Sequence, residues 1–262
     1  MLRLDTESPP EDDKVWGAFV TWTRSLPPGS PLQGYRSVLE KEGLSAEEIK
    51  RRIGVIQRYL SERPEGVEFI YDRVFSQPLT GDPAKDGFTS TPSVFLAEAT
   101  GTLKPGTALD VGAGQGRNAV YLATKGWVVT AIDISGEGLA ATRANSKKAG
   151  VSVSTVKTTY DAFDFGTGQW DLVAMILSWA PVEDPVFVAR LIASVRPGGA
   201  IVFEHVIQRA ENPFPPNVHA LEPGQLRTCF GGLDIERYEE VTALGDWGGP
   251  PSRLVRMVAR KR

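Results

Sequence analysis

The residues best suited to chemistry lie in the middle of the chain, where Asp110-Val111-Gly112-Ala113-Gly114-Gln115-Gly116 joins the apolar run TALDV to a helix-like segment. Glycines at alternate positions permit left-handed backbone and let a ligand approach the main chain closely. Between a parallel strand and the helix after it, such a turn falls at the carboxyl edge of a sheet, where ligands bind at the switch point. A tight packing turn is the plainer alternative. Asp133 closes the next apolar run, 21 residues after Gly112. A carboxylate there accepts hydrogen bonds from both ribose hydroxyls of a nucleotide ligand, or else only caps the turn before Ser135. A third apolar run is followed by Tyr160-Asp161-Ala162-Phe163-Asp164. Asp161 is placed to accept from the exocyclic amine of adenine and the Ala162 N–H to donate to a ring nitrogen, with a plain loop carboxylate as the alternative. Three successive strand ends would thus converge on a nucleoside.

The spacing here is G-x-G-x-G followed by Arg117, not the G-x-G-x-x-G of dinucleotide-binding folds. A pyrophosphate needs a bare helix N-terminus with converging N–H groups, so a nucleoside without phosphate fits better. Asp110 is placed to hold an ammonium on that ligand, directly or through water, or is satisfied by loop N–H groups. Tyr121 and Lys125 make a Y-x-x-x-K pair like that of short-chain dehydrogenases, but in the first helix after the glycine loop they read as packing and helix-end charge. His205 is a candidate general base facing the acceptor, or a satisfied histidine at a strand end. Glu204 points the opposite way by strand alternation. His219 is a weaker candidate. The two histidines stand 14 residues apart without clustered partners, so no metal is expected. The single cysteine, Cys229, supports no disulfide scaffold and reads as a packed thiol.

The elements that must position these residues follow from periodicity. The first 90 residues read as helices punctuated by Pro and Gly: Asp13 to Arg24, then Ala46 to Leu60 with Ser45 and Glu48 at capping-box spacing, then a short segment from Glu68 to Gln77. Pro78 to Thr89 reads as a loop, and a helix runs from near Pro92 to near Gly101. From Thr107 strands and helices alternate: strands at 107–111, 127–133, 151–156, 170–176, 200–206, 234–241 and 253–260, helices at 118–125, 137–149, 185–195 and 223–230. This pattern predicts a mostly parallel sheet with helices on both faces. The last two strands have too short a connection for a parallel crossover and should pair antiparallel. The Pro-rich loop from Gln208 to Pro223 follows the fifth strand and suggests one wall of an acceptor pocket.

Composition sets bounds on function. A net charge of −3 with 23% charged residues carries no concentrated basic signature of a nucleic-acid binder. No run reaches the ~18 apolar residues of a membrane span, and MLRLDTESPPEDD lacks the apolar stretch of a signal peptide, so a cytoplasmic setting is expected.

These motifs in this order resemble the class I S-adenosylmethionine-dependent methyltransferases. LDVGAGQGRNAVYLATKGWVVTAIDIS (109–135) is similar to their motif I through the second-strand acid, WDLVAMILSWAP (170–181) to their fourth-strand motif, and LIASVRPGGAIVFE (191–204) to the helix-turn-strand segment before the acceptor site. LRTCFGGLDIERYEE (226–240) is similar to the end of small-molecule and tellurite-resistance-type members. The resemblance implies an α/β, Rossmann-like seven-stranded mixed sheet, order 3-2-1-4-5-7-6 with strand seven antiparallel, over residues 91–262, after a helical extension or lid over 1–90. It implies S-adenosyl-L-methionine as cofactor and S-adenosyl-L-homocysteine as product. It places Gly112, Ala113, Gly114 and Gly116 in the loop around the methionine end, Asp110 at its foot, Asp133 on the ribose, and Asp161 with Ala162 on the adenine. Ile134 would pack on the adenine face, and Leu177 and Ser178 would contact the methionine or adenosine portion. Tyr71-Asp72-Arg73-Val74-Phe75 resembles the family's lid. Tyr71 and Trp179 are candidates for the acceptor wall, with core aromatics as the alternative. The implied reaction is in-line methyl transfer to a small-molecule acceptor by a monomer or homodimer, with no nucleic acid or membrane partner. The alternatives are a protein or nucleic-acid methyltransferase, a non-catalytic S-adenosylmethionine-binding protein, and a nicotinamide oxidoreductase.

Overall fold

A computed structural model describes residues 9–24, 26, 31–77, 81–82, 89–207, 221–245 and 251–262. The chain divides into two compact units, Met1–Gln77 and Pro78–Arg262.

The N-terminal unit contains helices α1 (Pro10–Thr23), α2 (Pro31–Lys41), α3 (Ala46–Glu62) and α4 (Pro64–Phe75). The expected start of α3 is present: Ser45 Oγ accepts from the Glu48 N–H at 3.2 Å. The return half of the capping box is not made, because the Glu48 carboxylate is taken by Arg51 and Arg52. Helix α2 was not legible in the sequence reading, yet Leu32, Tyr35, Val38 and Leu39 fall on helical spacing behind a proline at the first position. The segment expected from Glu68 begins earlier, at Pro64, for the same reason. An aromatic core of Phe19, Tyr35 and Tyr59 joins Leu39, Ile49, Val55 and Ile56. The buried Asp12 of α1 is paired with Arg58 of α3 at 2.8 Å, which offsets the cost of removing a carboxylate from water.

The C-terminal unit contains α5 (Val94–Thr100), β1 (Thr107–Val111), α6 (Arg117–Thr124), β2 (Val128–Asp133), α7 (Gly136–Lys148), β3 (Val153–Lys157), β4 (Trp170–Ile176), α8 (Pro185–Ser194), β5 (Val195–Val206), α9 (Gln225–Cys229), β6 (Asp234–Ala243) and β7 (Ser252–Arg260). The seven strands form one sheet in the order β3-β2-β1-β4-β5-β7-β6, as expected. The first five are parallel, and β7 runs antiparallel between β5 and β6. Period-two alternation divides the central strands between two cores. Leu109 and Val111 join Phe187, Leu191 and Phe203 on one face, and Ala108 joins Phe95, Ala119 and Leu122 on the other. The expected turn Pro197-Gly198-Gly199 proves to lie inside β5, which starts at Val195. Gly198 adopts φ +80, and its N–H donates to Lys261 O at 2.7 Å. After β5 the chain leaves at Ile207 and returns at Leu221, which bridge each other. The expected acceptor wall between them and His219 lie outside the described residues, as does most of the loop expected from Pro78 to Thr89.

Candidate functional site

The glycine loop sits at the carboxyl edge of the sheet, where β1 turns into α6. Gly112, Gly114 and Gly116 all adopt positive φ, at +71, +53 and +76, so each needs the freedom that lacks a Cβ penalty. The loop is pinned from below and from the side. The N–H groups of Gly112 and Ala113 both donate to Ile132 O, at 2.9 and 3.0 Å. From α7, Thr142 Oγ1 donates to Gly114 O at 2.8 Å and Asn145 Nδ2 to Gln115 O at 2.9 Å. The loop is therefore preorganised by its own scaffold.

Two carboxylates converge beneath it. Asp133 is buried at the end of β2; its Oδ2 accepts from the Gly114 N–H and its Oδ1 from the Ser135 N–H, both at 2.8 Å. Capping is thus part of its role, and a carboxylate oxygen can accept more than one bond. Asp110 is 1% exposed, and its Oδ2 is a buried oxygen with no hydrogen-bond partner. Burial pushes its carboxyl up to about 7, against the Arg117 charge and a hydrogen bond from the Ala119 N–H, while the Asp133 charge adds to the rise. The N–H that reaches Asp110 belongs to α6 rather than to the loop N–H groups expected to satisfy it.

Beyond β4 the backbone is strained. Leu177 and Trp179 have φ of 56 and 55, a conformation that costs on the order of 1 kcal/mol or more for residues with a Cβ and gathers at functional sites. The Tyr160 hydroxyl donates to Ser178 O and holds this turn. A Cβ on Gly112 would lie 2.8 Å from Ser178 Cβ and 3.2 Å from Tyr160 Oη, so the ends of β1, β3 and β4 do meet. Ser178 Oγ is a second buried polar atom with no hydrogen-bond partner. His205 is buried near the end of β5, with the Trp179 ring edge-on at 4.5 Å. Glu204 takes the opposite face, as expected, and is paired with Arg256 of β7, whose guanidinium lies over Phe95.

Asp161 and Ala162 are exposed in the turn after β3, and Ile134 is half-buried after β2. The Ala162 N–H donates weakly to Thr159 Oγ1 at 3.3 Å. Tyr71 belongs to the N-terminal unit, where its ring stacks on Phe75 at 5.9 Å. Lys125 Nζ lies over the Tyr121 ring, so the Y-x-x-x-K pair is a contact within one helix. Cys229 is half-buried against the core. Tyr160 and Arg117 escaped the sequence reading as site residues. Both stand beside assigned motif residues, but only the fold shows what their polar ends reach. Among the described residues no cluster of three or more His, Cys, Asp or Glu could hold a metal, and no helix is long and apolar enough to cross a membrane.

The chain is similar to several known proteins. Residues 108–199 match the family model described as a methyltransferase domain. The chain is 30% identical over 194 residues to Hemagglutinin 1 of Eikenella corrodens, covering 68% of this chain and 61% of that protein. It is 33% identical over 111 residues to the ubiquinone biosynthesis O-methyltransferase of Escherichia fergusonii, covering 42% of this chain and 46% of that one. The chain thus spans about half to three-fifths of the curated relatives it matches. Among solved structures the fold is similar to TehB of Haemophilus influenzae, with TM-score 0.56 and 20% identity over 64% of this chain and 61% of that one. It is also similar to the [4+2]-cyclase SpnF, with TM-score 0.60 and 16% identity over 76% and 96%.

Proposed function

We propose, on the premise that residues 108–199 are a methyltransferase domain of the class I fold, that this chain binds S-adenosylmethionine and methylates a small-molecule acceptor. One observation carries the reading: two buried oxygens, Asp110 Oδ2 and Ser178 Oγ, stand at adjacent strand ends beside the glycine loop without hydrogen-bond partners. Buried polar atoms are nearly always satisfied in native proteins, so this pair marks where a polar ligand completes the structure. The cofactor has the groups to do so: an ammonium for Asp110 and no phosphate for the loop to neutralise.

Bound there, S-adenosylmethionine supplies a methyl group activated by its sulfonium charge. The chain's residues then bind and orient. Asp133, at the end of β2, accepts from the ribose hydroxyls. Asp161 and Ala162 read the adenine edge; the Thr159 hydroxyl releases the Ala162 N–H by a rotation. Ile134 covers the adenine face, and Leu177 and Ser178 line the ligand beside Gly112. Alignment in a site shielded from water provides most of the acceleration in such a transfer. His205 takes a proton from an acceptor that carries one at its reacting atom, and Trp179 forms a wall of the acceptor site.

The test is calorimetric titration with S-adenosylhomocysteine. Asp133→Ala should weaken binding by roughly 1–3 kcal/mol, the cost of leaving buried ligand hydroxyls unpaired; wild-type affinity in that variant would refute the ribose assignment. A second reading, in which this chain binds the cofactor without transferring its methyl group, takes support from the fold it shares with a [4+2]-cyclase. A radiolabelled methyl group recovered in no acceptor, despite tight binding, would select it.

A further inference from the structure

We propose that Tyr160 is a positioning residue for both halves of the site: its hydroxyl, by holding the Ser178 carbonyl, keeps the turn after β4 in the conformation that seats Ser178 against the glycine loop and Trp179 against His205. This rests on the reading of the site as one for S-adenosylmethionine.

Tyr160 follows β3, and in the sheet β2 and β1 lie between β3 and β4. Its side chain nevertheless reaches the turn after β4, where the hydroxyl donates to Ser178 O. The ring arrives there from a fixed base. It is half-buried and packs tilted against Phe187 of α8, with centroids 6.0 Å apart. The backbone on either side is tied as well: the Thr158 N–H donates to Asp133 O at 3.0 Å, and the Phe163 N–H to Thr159 O at 3.1 Å. A packed tyrosine ring confined to one rotamer delivers its oxygen to one place.

The carbonyl it holds lies in the planar peptide that joins Ser178 to Trp179. Turning that plane changes ψ of Ser178 and φ of Trp179 together. Trp179 has φ 55, and Leu177, on the other side, has φ 56. Residues with a Cβ keep such backbone only where their surroundings over-determine it. Leu177 is held through its own N–H, which donates to Glu204 O at 2.8 Å. On the Trp179 side the Tyr160 hydroxyl holds the plane. Both residues that flank this plane face the site. Ser178 Cβ comes within 2.8 Å of where a Cβ on Gly112 would lie, and the Trp179 ring meets His205 edge-on at 4.5 Å. One bond, from the turn that carries Asp161 and Ala162, thus sets the cofactor side and the acceptor side together.

The test compares the full-length wild type with Tyr160→Phe, which keeps the ring and removes the oxygen. The first readout is the ring-proton magnetic resonance of His205 without ligand. The chain has two histidines, so a His219→Gln background leaves His205 as the one signal. The Trp179 ring current displaces that signal, and Trp179→Leu gives its position without the displacement. Tyr160→Phe should move it toward the Trp179→Leu position. The second readout is calorimetric titration with S-adenosylhomocysteine, where Tyr160→Phe should lose roughly fivefold in affinity, the net worth of one hydrogen bond. Val129→Ala controls for lost stability. It opens the buried core at the far end of β2 and should lower the melting temperature while both readouts stay at their wild-type values. An unmoved His205 signal in Tyr160→Phe, or either change reproduced by Val129→Ala, would overturn the proposal. If the wild type and Tyr160→Phe bind S-adenosylhomocysteine equally well, the positioning role alone fails; if the wild type does not bind it, the cofactor reading falls and this role with it.

Discussion

Asp110 and Asp133 are buried at the same sheet edge, yet the loop satisfies only one of them fully. Asp133 accepts from two backbone N–H groups and is part of the scaffold that shapes the loop. Asp110 keeps one oxygen without a partner, so it costs the ligand-free chain stability. Its folded value, about 7, lies above the ordinary 3.8. The folded chain therefore holds this proton more tightly than the unfolded chain, and the contribution of Asp110 to stability falls as pH rises from about 4 to about 7. Above that range the full cost of a buried charge is present. Asp110→Asn should remove this slope. In urea melts without ligand, the variant should gain on the wild type between pH 5 and pH 8, while its affinity for S-adenosylhomocysteine falls roughly tenfold, about 1.4 kcal/mol. Parallel stability curves for the two proteins would contradict the assignment.

The elements around the site are held so that little can move. Gly116 joins the loop to α6 with φ +76, and a Cβ there would lie 2.6 Å from both Thr142 Oγ1 and Thr142 Cγ2. Gly116→Ala should therefore destabilise the chain by about 1–3 kcal/mol and weaken ligand binding with it; a wild-type melting curve would show that the loop tolerates another path. On the opposite side of β4, the Leu177 N–H donates to Glu204 O at 2.8 Å, so β5 carries the strained turn. The Glu204 carboxylate is 3% exposed and is paired with Arg256. Arg256→Met should destabilise the chain by about 3 kcal/mol or more by removing a charged partner of that buried carboxylate. Combining it with Glu204→Leu should recover most of the loss, and failure to recover would mean that the pair is not what holds the strand ends together.

For the whole molecule, the division into Met1–Gln77 and Pro78–Arg262 gives each unit its own core. Every cofactor residue assigned here lies in the second unit, while Tyr71 lies in the first. A fragment of residues 78–262 should therefore unfold cooperatively by circular dichroism and bind S-adenosylhomocysteine within about tenfold of the full-length chain. A fragment that lacks a cooperative transition would mean the second core does not suffice.

The alternation of apolar runs with helical spacing marked seven strands in a mostly parallel sheet with an antiparallel last pair, because burial on both faces forces long-range pairing into few topologies; the strand order itself was only what the resemblance to the methyltransferase family implied. Local chemistry likewise marked the glycine loop and Asp133. Helix α2 went unread because its apolar positions are few. Other features had no local signal at all. The left-handed backbone of Leu177 and Trp179 is imposed on residues that avoid it in isolation, and the lone oxygen of Asp110 depends on what three strands and a helix leave unfilled around it. The anchoring of Arg117 on Thr89 and Thr91 joins residues more than a full turn of chain apart. Spacing fixed which residues reach the sheet edge; only packing in three dimensions decided which of their polar atoms are satisfied there, because satisfaction is a property of neighbours distant in sequence.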